Sequence, residues 1–414
     1  MSNSGRNSSL PAPAGSRTGI VLSGGGARGA YQVGVVAGIL DVLHDTGMVH
    51  APFNVLCGTS VGAINAAYLA SHADQANLAI EGLVDAWRSL KLAEHLRINL
   101  RGLLGIWKSA DPRDDSSMSS RAMQARALLD TAPLTDLVKN QVPFPRMYRN
   151  IDTGVVRALV ITALEISTGR TTMFIDALKN VSFPETNDAR RNVRRERIGL
   201  QHVLASSALP LLFPPRRIDG EAYCDGGVRF NTPIAPAIRA GADRLVVVSL
   251  LSENPIGAQE IPLEVREASY KNPMFLLGKV LNAILLDPTH YDLQVLERFN
   301  QMVETLESVL TPEQLAAFHR TVLRDRNMVY RKLRTLVFRP SEDIGEIALE
   351  YARQLKPEGI GGRLMHRLAN QSAVWQSDLV SFLCFDGPFA DQLVSLGRRD
   401  AVSRADEVLA FFMD

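Results

Sequence analysis

The sequence predicts an α/β protein built on a mostly parallel sheet with helices on its faces. Short apolar runs, "TGIVLS", "FNVLCG" and "DRLVVVSL", have the length and branched content of buried strands. The first two each lead through a glycine-containing turn into a segment of helical period. The resulting order of strand, helix, strand, helix is that of a parallel sheet covered on both sides.

In chain order, the first strand runs into "GGGARG", Gly24 to Gly29. "AYQVGVVAGILDVLHDTG" then carries helical periodicity to Gly47, a C-cap position. Gly34 and Gly38 lie four apart on one face of that helix and suit close packing against a sheet. "FNVLCG" is the second strand, and "VGAINAAYLASHA" is a helix of small residues. From Asp74 to Met147 the pattern is mostly helix and loop. "RALVITALEISTGRTTMFI" holds two β-rich runs around Thr168-Gly169, a hairpin signal. "IGLQHVLASSALP" reads as a helix stopped by Pro210, and "EAYCDGG" as a short strand entering a glycine turn. The expected organisation is a disordered tail over 1–17, a principal unit over 18–255 and a mainly helical region over 256–414, with "LRTLVFRPS" adding a strand near 333–340.

The chain has 414 residues, 46% hydrophobic and 21% charged, enough to bury a large core. A formal net charge of +1 lacks the strongly basic balance of a bulk nucleic-acid binder, so no nucleic-acid partner is expected. Three cysteines, Cys57, Cys224 and Cys384, are too few and too odd in number for a disulfide framework. No Cys/His group has zinc spacing and no carboxylate cluster has calcium-loop spacing, so neither metal nor cofactor is expected. The first 17 residues are rich in Ser, Pro and Ala without an apolar core, unlike a signal peptide. No apolar stretch reaches the ~20 residues that span a bilayer. The expectation is a cytoplasmic protein or one held peripherally at a membrane.

"GTSVG", Gly58 to Gly62, has the spacing G-x-S-x-G between a strand and a helix. Such a turn projects the serine hydroxyl from the sheet, and the flanking glycines make room for the backbone. Five residues of this kind recur by chance in Gly- and Ser-rich loops. The strand-turn-helix setting favours a nucleophile, Ser60. A serine needs a base. "CDGG" supplies Asp225 at a strand end, although Asp-Gly alone is a common turn signal. His44, His50, His72, His95, His202, His290, His319 and His366 fall in no matching motif. An ordinary triad is therefore not indicated, while serine hydrolysis without histidine stays open.

Taken in order, GGGARG, GTSVG and CDGG resemble the patatin-like phospholipase family. "ASSALPLLFPP", Ala205 to Pro215, is similar to the stretch ahead of that family's catalytic aspartate, and "RPSEDIG" and "FDGPFADQLVSLGRRDA" to the C-terminal regions of its bacterial members. The resemblance covers roughly residues 18 to 250. It implies a three-layer α/β/α fold with a mostly parallel central sheet and a helical C-terminal region. It also implies a serine lipid acyl hydrolase whose partner is a lipid or phospholipid. By position, Ser60 is the implied nucleophile and Asp225 its base, a dyad that needs no metal. Gly24, Gly25 and Gly26 are the implied oxyanion hole. Arg28 matches the basic position and is implied to hold the loop and add positive potential. Gly29, Gly58, Gly62, Gly226 and Gly227 complete the motifs.

Gly24, Gly26 and Gly29 also fit G-x-G-x-x-G, the spacing of a dinucleotide site. That site wants an acidic residue ending the second strand. Here the strand ends in Cys57-Gly58, and Asp41 and Asp45 lie in the preceding helix. An oxyanion is the better occupant of the loop; the backbone physics is shared.

Two further segments bear on substrate. "RRNVRRER", Arg190 to Arg197, reads either as a patch for anionic headgroups or as a solvated loop. "MFLLGKVLNAILL" reads as a lipid-facing cap or, by preference, as a helix packed on the core. Competing functions are a lysophospholipase, a general carboxylesterase and a catalytically silent membrane-associated interaction module.

Overall fold

The structure, a computed structural model, describes residues 17–44, 46, 52–95, 129–181, 183, 188–210, 212–252, 267, 273–326, 330–355, 362–363, 366 and 377–413. The tail over 1–16, the cap at Gly47, His50 and the boundary near Pro255 lie outside them, as does part of the stretch from Asp74 to Met147.

Among the described residues nine strands form one sheet: β1 (Thr18–Leu22), β2 (Val55–Thr59), β3 (Ala158–Glu165), β4 (Thr171–Ala177), β5 (Arg191–Arg195), β6 (Arg216–Ile218), β7 (Glu221–Asp225), β8 (Arg244–Val248) and β9 (Arg334–Phe338). The main order is β5-β4-β3-β2-β1-β8-β9, and the β6–β7 hairpin joins it through β7 on β3. The pairs β3–β2, β2–β1, β1–β8, β8–β9 and β4–β5 are parallel, while β4 and β7 run antiparallel to β3. The β3–β4 hairpin turns at Gly169, whose φ of 65° is the left-handed conformation a tight turn asks of glycine.

Burial on both faces explains why β1 and β8 read as continuous apolar runs. Ile20, Leu22, Leu56, Val246 and Val248 point into one core. Val21, Val55, Cys57, Leu245 and Val247, offset by one residue, point into the other. Helices α1 (Gly29–His44), α2 (Val61–Ser71) and α3 (Ala76–Arg88) cover the first face, with the helices Ser377–Leu383 and Gly387–Val402. The helices Ile234–Arg239 and Asp287–Val309 contribute to the second. This is a three-layer α/β/α fold with a mostly parallel sheet.

Described residues after 255 share this body. β9 pairs with β8 in register Leu245↔Thr335 and extends the sheet. Helix Gly387–Val402 lies directly on α1, and this corrects the role expected of Gly34 and Gly38. A side chain at Gly34 would collide with the carbonyl of Val394, and one at Gly38 would lie 2.7 Å from the Arg398 carbonyl. The two glycines admit a helix, not the sheet. Among the described residues, no helix is long and apolar enough to cross a membrane.

The arginine-rich stretch is neither patch nor free loop. It forms edge strand β5, and its cations are matched: Arg191 with Asp188, Arg194 with Glu196 and Asp219, Arg197 with Asp152 and Asp176. Arg195 donates to the Val181 carbonyl at 2.7 Å. The stretch ties down an edge rather than presenting free charge. "MFLLGKVLNAILL" is a helix, Pro273–Leu285, but not a buried one: Leu285 is enclosed, while Leu276 and Val280 are 48% and 51% exposed. The expected core packing holds for Leu281, Ile284 and Leu285 and not for the face that carries Leu276 and Val280.

Candidate active site

β2 delivers Ser60 at the start of α2 in a conformation rare for a residue with a side chain, φ 56° and ψ −127°. Such a backbone costs about 1–3 kcal/mol and persists only where the surroundings impose it. Here they do. A side chain at Gly58 would collide with the Gly62 carbonyl, and one at Gly62 with the carbonyl of Leu22. The turn therefore closes only with glycine at both places. The Ser60 N–H donates to Ser206 Oγ at 2.9 Å, and the Ser207 hydroxyl donates to the Ser60 carbonyl at 3.1 Å. Ser206 Oγ in turn donates to the Thr162 carbonyl on β3 at 2.7 Å. The "ASSALP" segment thus clasps the serine's backbone from both sides. The first turn of α2 adds the partial positive charge of a helix N-terminus.

Asp225 ends β7, with its N–H donating to the Ala208 carbonyl at 2.9 Å. Its Oδ2 accepts the Ser60 hydroxyl at 2.6 Å, and its Oδ1 accepts the Gly227 N–H at 2.7 Å. The carboxyl is 1% exposed. Burial pushes its pKa up to about 7 against the opposing pull of those two hydrogen bonds. An oxygen of Asp225 is therefore a far better proton acceptor near neutrality than an exposed carboxylate.

The glycine loop lies on the other side of Ser60, where a side chain at Gly24 would approach Ser60 Cβ to 2.8 Å. Its three amides are not equivalent. Gly24 N–H donates to Asn231 Oδ1 at 2.9 Å, so the expected set of oxyanion donors narrows to Gly25 and Gly26. Among the described residues, neither of those two amides has a protein acceptor. Gly26 has φ 59°, and a side chain there would run into the Phe382 carbonyl.

Arg28 is buried and binds away from the serine. Its Nε donates to Ser381 Oγ at 2.7 Å, its guanidinium pairs with Asp378 at 3.2 Å, and it stacks over the Phe382 ring at 4.5 Å. Asp378 also takes Lys279 Nζ at 2.7 Å. The expected loop-holding role acquires a specific partner, the C-terminal helix Ser377–Leu383. Cys57 and Cys224 are buried, and burial raises both thiols, Cys224 to about 12, which leaves them protonated core residues. Among the described residues no histidine lines the site; His202 accepts the Gly199 N–H at 3.0 Å and packs edge-on to Phe174.

Ser60, Asp225 and Gly26 open onto a cavity of about 100 Å³. Its walls are almost wholly apolar, with Ile64, Trp87, Leu137, Leu209, Phe213 and Phe382 among them, and among the described residues Asp225 is its one ionisable acid or base apart from the bonded Tyr68 phenol. Such a wall accepts a hydrocarbon chain and rejects a charged headgroup.

The fold is three-layered α/β/α, and the site sets a buried serine and aspartate in hydrogen-bond contact at the mouth of an apolar cavity. The model of the patatin-like phospholipase family matches residues 20–238, more than half of the chain, and the protein belongs to that family. It is a lipid-hydrolysing enzyme. No curated protein matches the sequence. Among solved structures, VipD from Legionella pneumophila is 15% identical with a TM-score of 0.33, over 89% of this chain and 68% of VipD. Human GIVD cytosolic phospholipase A2, in complex with methyl γ-linolenyl fluorophosphonate, is 13% identical with a TM-score of 0.43, over 96% of this chain and 59% of the human one. Full-length ExoU with SpcU from Pseudomonas aeruginosa is 17% identical with a TM-score of 0.25, over 94% and 78%. At these values the likeness bears on none of the chemistry below.

Proposed function

We propose that the protein hydrolyses carboxylic esters of lipids and phospholipids through an acyl-enzyme on Ser60, with Asp225 as the base. The observation that carries the reading is the 2.6 Å hydrogen bond from Ser60 Oγ to Asp225 Oδ2 at the edge of an apolar cavity. The acyl chain occupies the cavity and sets the ester carbonyl against Ser60. Asp225 Oδ2 takes the hydroxyl proton as Oγ bonds to the carbonyl carbon. The oxyanion meets the N–H groups of Gly25 and Gly26, each such donor contributing about 3–4 kcal/mol to the transition state. Collapse breaks the ester C–O bond, and the proton on Asp225 passes to the departing alcohol or lysolipid. Water then gives a proton to Asp225 as its oxygen bonds to the acyl carbon; the acyl C–Oγ bond breaks, the proton on Asp225 returns to Ser60 Oγ, and the fatty acid leaves.

Peripheral contact with a lipid surface belongs to the same reading. Leu276 and Val280, one helical turn apart and both exposed, lie on the helix whose far end, Leu285, lines the cavity.

The test is release of fatty acid and lysolipid from mixed glycerophospholipid vesicles, with chelator present, followed by mass spectrometry. Wild type releases both products, and Ser60→Ala and Asp225→Asn release neither. Equal release from Ser60→Ala overturns the nucleophile assignment. Turnover confined to lysophospholipids or to short soluble esters replaces the substrate class with a lysophospholipase or a general carboxylesterase.

A further inference from the structure

Asn231 is fully buried six residues after Asp225, in a segment that the mechanism above does not use. Its side chain makes three hydrogen bonds, all of them to backbone. Oδ1 accepts the Gly24 N–H at 2.9 Å, and Nδ2 donates to the Gly24 carbonyl at 3.2 Å and to the Leu285 carbonyl. One amide thus grips a single glycine through both its N–H and its C=O, as a neighbouring strand would. Gly24 is the first residue of the loop that lies on Ser60, and Leu285 lines the acyl cavity.

The grip has a directional consequence. Were Gly24 N–H free, three successive amides would compete for one oxyanion, and the loop could rotate to present any of them. With Gly24 held on both sides, the peptide planes that follow are set, and Gly25 and Gly26 are left as donors without a protein acceptor among the described residues. Backbone donors stabilise an oxyanion only if their geometry exists before the charge develops. We propose that Asn231 is the positioning residue of the oxyanion loop: it fixes Gly24 so that the Gly25 and Gly26 amides face Ser60, and it ties that loop to the wall of the acyl cavity at Leu285. The inference rests on the reading of Ser60 as nucleophile.

A residue that acts through the loop touches the transition state and not the ground-state binding of the chain. Asn231→Ala therefore lowers kcat on p-nitrophenyl butyrate by about 10- to 100-fold, the scale set by a small misplacement of catalytic groups, and leaves KM within about threefold. Thr232→Val is the structural control. The neighbouring Thr232 hydroxyl bonds Thr289 Oγ1 at 2.6 Å, so this variant loosens the same segment from the same C-terminal region without touching the loop. It keeps kcat within about twofold at temperatures where it is folded.

Asn231→Asp covers the case in which the alanine variant does not fold. It keeps the shape and the acceptor for Gly24 N–H but donates nothing to the Gly24 carbonyl. It also adds a carboxylate beside the base, because a side chain at Gly227 would sit 2.8 Å from Asn231 Oδ1 and 3.0 Å from Asp225 Oδ1. Its kcat falls about tenfold, and the midpoint of its pH–rate profile moves upward, as a second anionic group near Asp225 requires. The midpoint shift follows from the added charge alone; the fall in kcat on the plateau above that midpoint is what a purely structural asparagine would not produce.

All variants are run beside Ser60→Ala and labelled with an alkyl fluorophosphonate, located by peptide mass. Labelling of Ser60 in wild type, with slower labelling of Asn231→Ala than of Thr232→Val, supports the assignment. Normal kcat and labelling in Asn231→Ala or Asn231→Asp overturns it while leaving Ser60 in place. Undiminished turnover by Ser60→Ala overturns the nucleophile reading itself, and the positioning role falls with it.

Discussion

Ser206 Oγ accepts the N–H of Ser60 and donates its own O–H to the Thr162 carbonyl, so that one small hydroxyl fastens the strained turn of β2 to strand β3. Ser60 has no side-chain cap of its own. Ser206→Ala leaves a buried N–H and a buried carbonyl unpaired, at a cost of about 1–3 kcal/mol. Ser60, the proposed nucleophile, loses its fixed direction at the same time. We expect kcat to fall about tenfold with little change in KM, measured on a soluble ester below the melting temperature.

The pH dependence follows from Asp225. In the proposed reaction Asp225 works as the carboxylate, and burial raises its pKa to about 7. The rate kcat/KM should climb with pH through a midpoint near 7 and level off above it. A midpoint near the ordinary aspartate value of ~3.9 would mean that another group takes the serine proton.

The same burial costs stability. Between the ordinary aspartate pKa of ~3.9 and the folded value near 7, the unfolded chain has released the Asp225 proton while the folded one retains it. The folded state is then destabilised progressively as pH rises through that window. Asp225→Asn carries no such charge and still accepts from Ser60. It should be more stable than wild type at pH 8, by roughly 1–4 kcal/mol, and the advantage should vanish as pH falls to 4. Urea unfolding at both pH values measures it; equal stability at pH 8 would show that the carboxylate is not under strain.

Arg28→Lys should not be conservative. The guanidinium reaches Ser381 and Asp378 at once and stacks on Phe382, which an ammonium cannot reproduce. Loss of the pair leaves Asp378 held by Lys279 alone. Stability should fall by about 2–4 kcal/mol, and hydrogen exchange should quicken in helix Ser377–Leu383 more than elsewhere.

Leu137→Trp should shorten the chain that the enzyme accepts. Leu137 is half-buried on the cavity wall, so an indole there takes volume from the substrate rather than from the core. Activity on palmitoyl esters should drop at least tenfold relative to butyryl esters of the same alcohol. An unchanged ratio would place the acyl chain outside this cavity.

Much of this architecture is legible in the sequence because both faces of the sheet are covered, which turns the strands into unbroken apolar runs such as "RLVVV". The Ser60–Asp225 pair spans 165 residues, so no local pattern joins them; what joins them on paper is the order of three motifs, each ambiguous by itself. Asn231, Ser206 and Ser207 escape notice for a physical reason. They work through hydrogen bonds to backbone, and any short polar residue in a turn has that capacity. The spacing of Gly34 and Gly38 announces a close neighbour without saying which, because glycine on a helix face fits a strand and a helix alike. The matched charges around β5 are equally silent in one dimension: Asp152, Asp176 and Asp219 are far from the arginines along the chain and beside them in space.

The seam between α1 and helix Gly387–Val402 is recessed from both sides, since a side chain at Gly397 would strike the Tyr31 carbonyl just as one at Gly34 would strike that of Val394. The catalytic elements and the chain's last third are therefore moulded to each other. A fragment cut at residue 252 would carry every residue of the proposed reaction and still bare a trench along α1 and the open border of β8. It should precipitate or bind chaperones rather than hydrolyse lipid. Separately expressed halves should recover turnover when they are mixed while folding, and not when each has first been left to collapse alone.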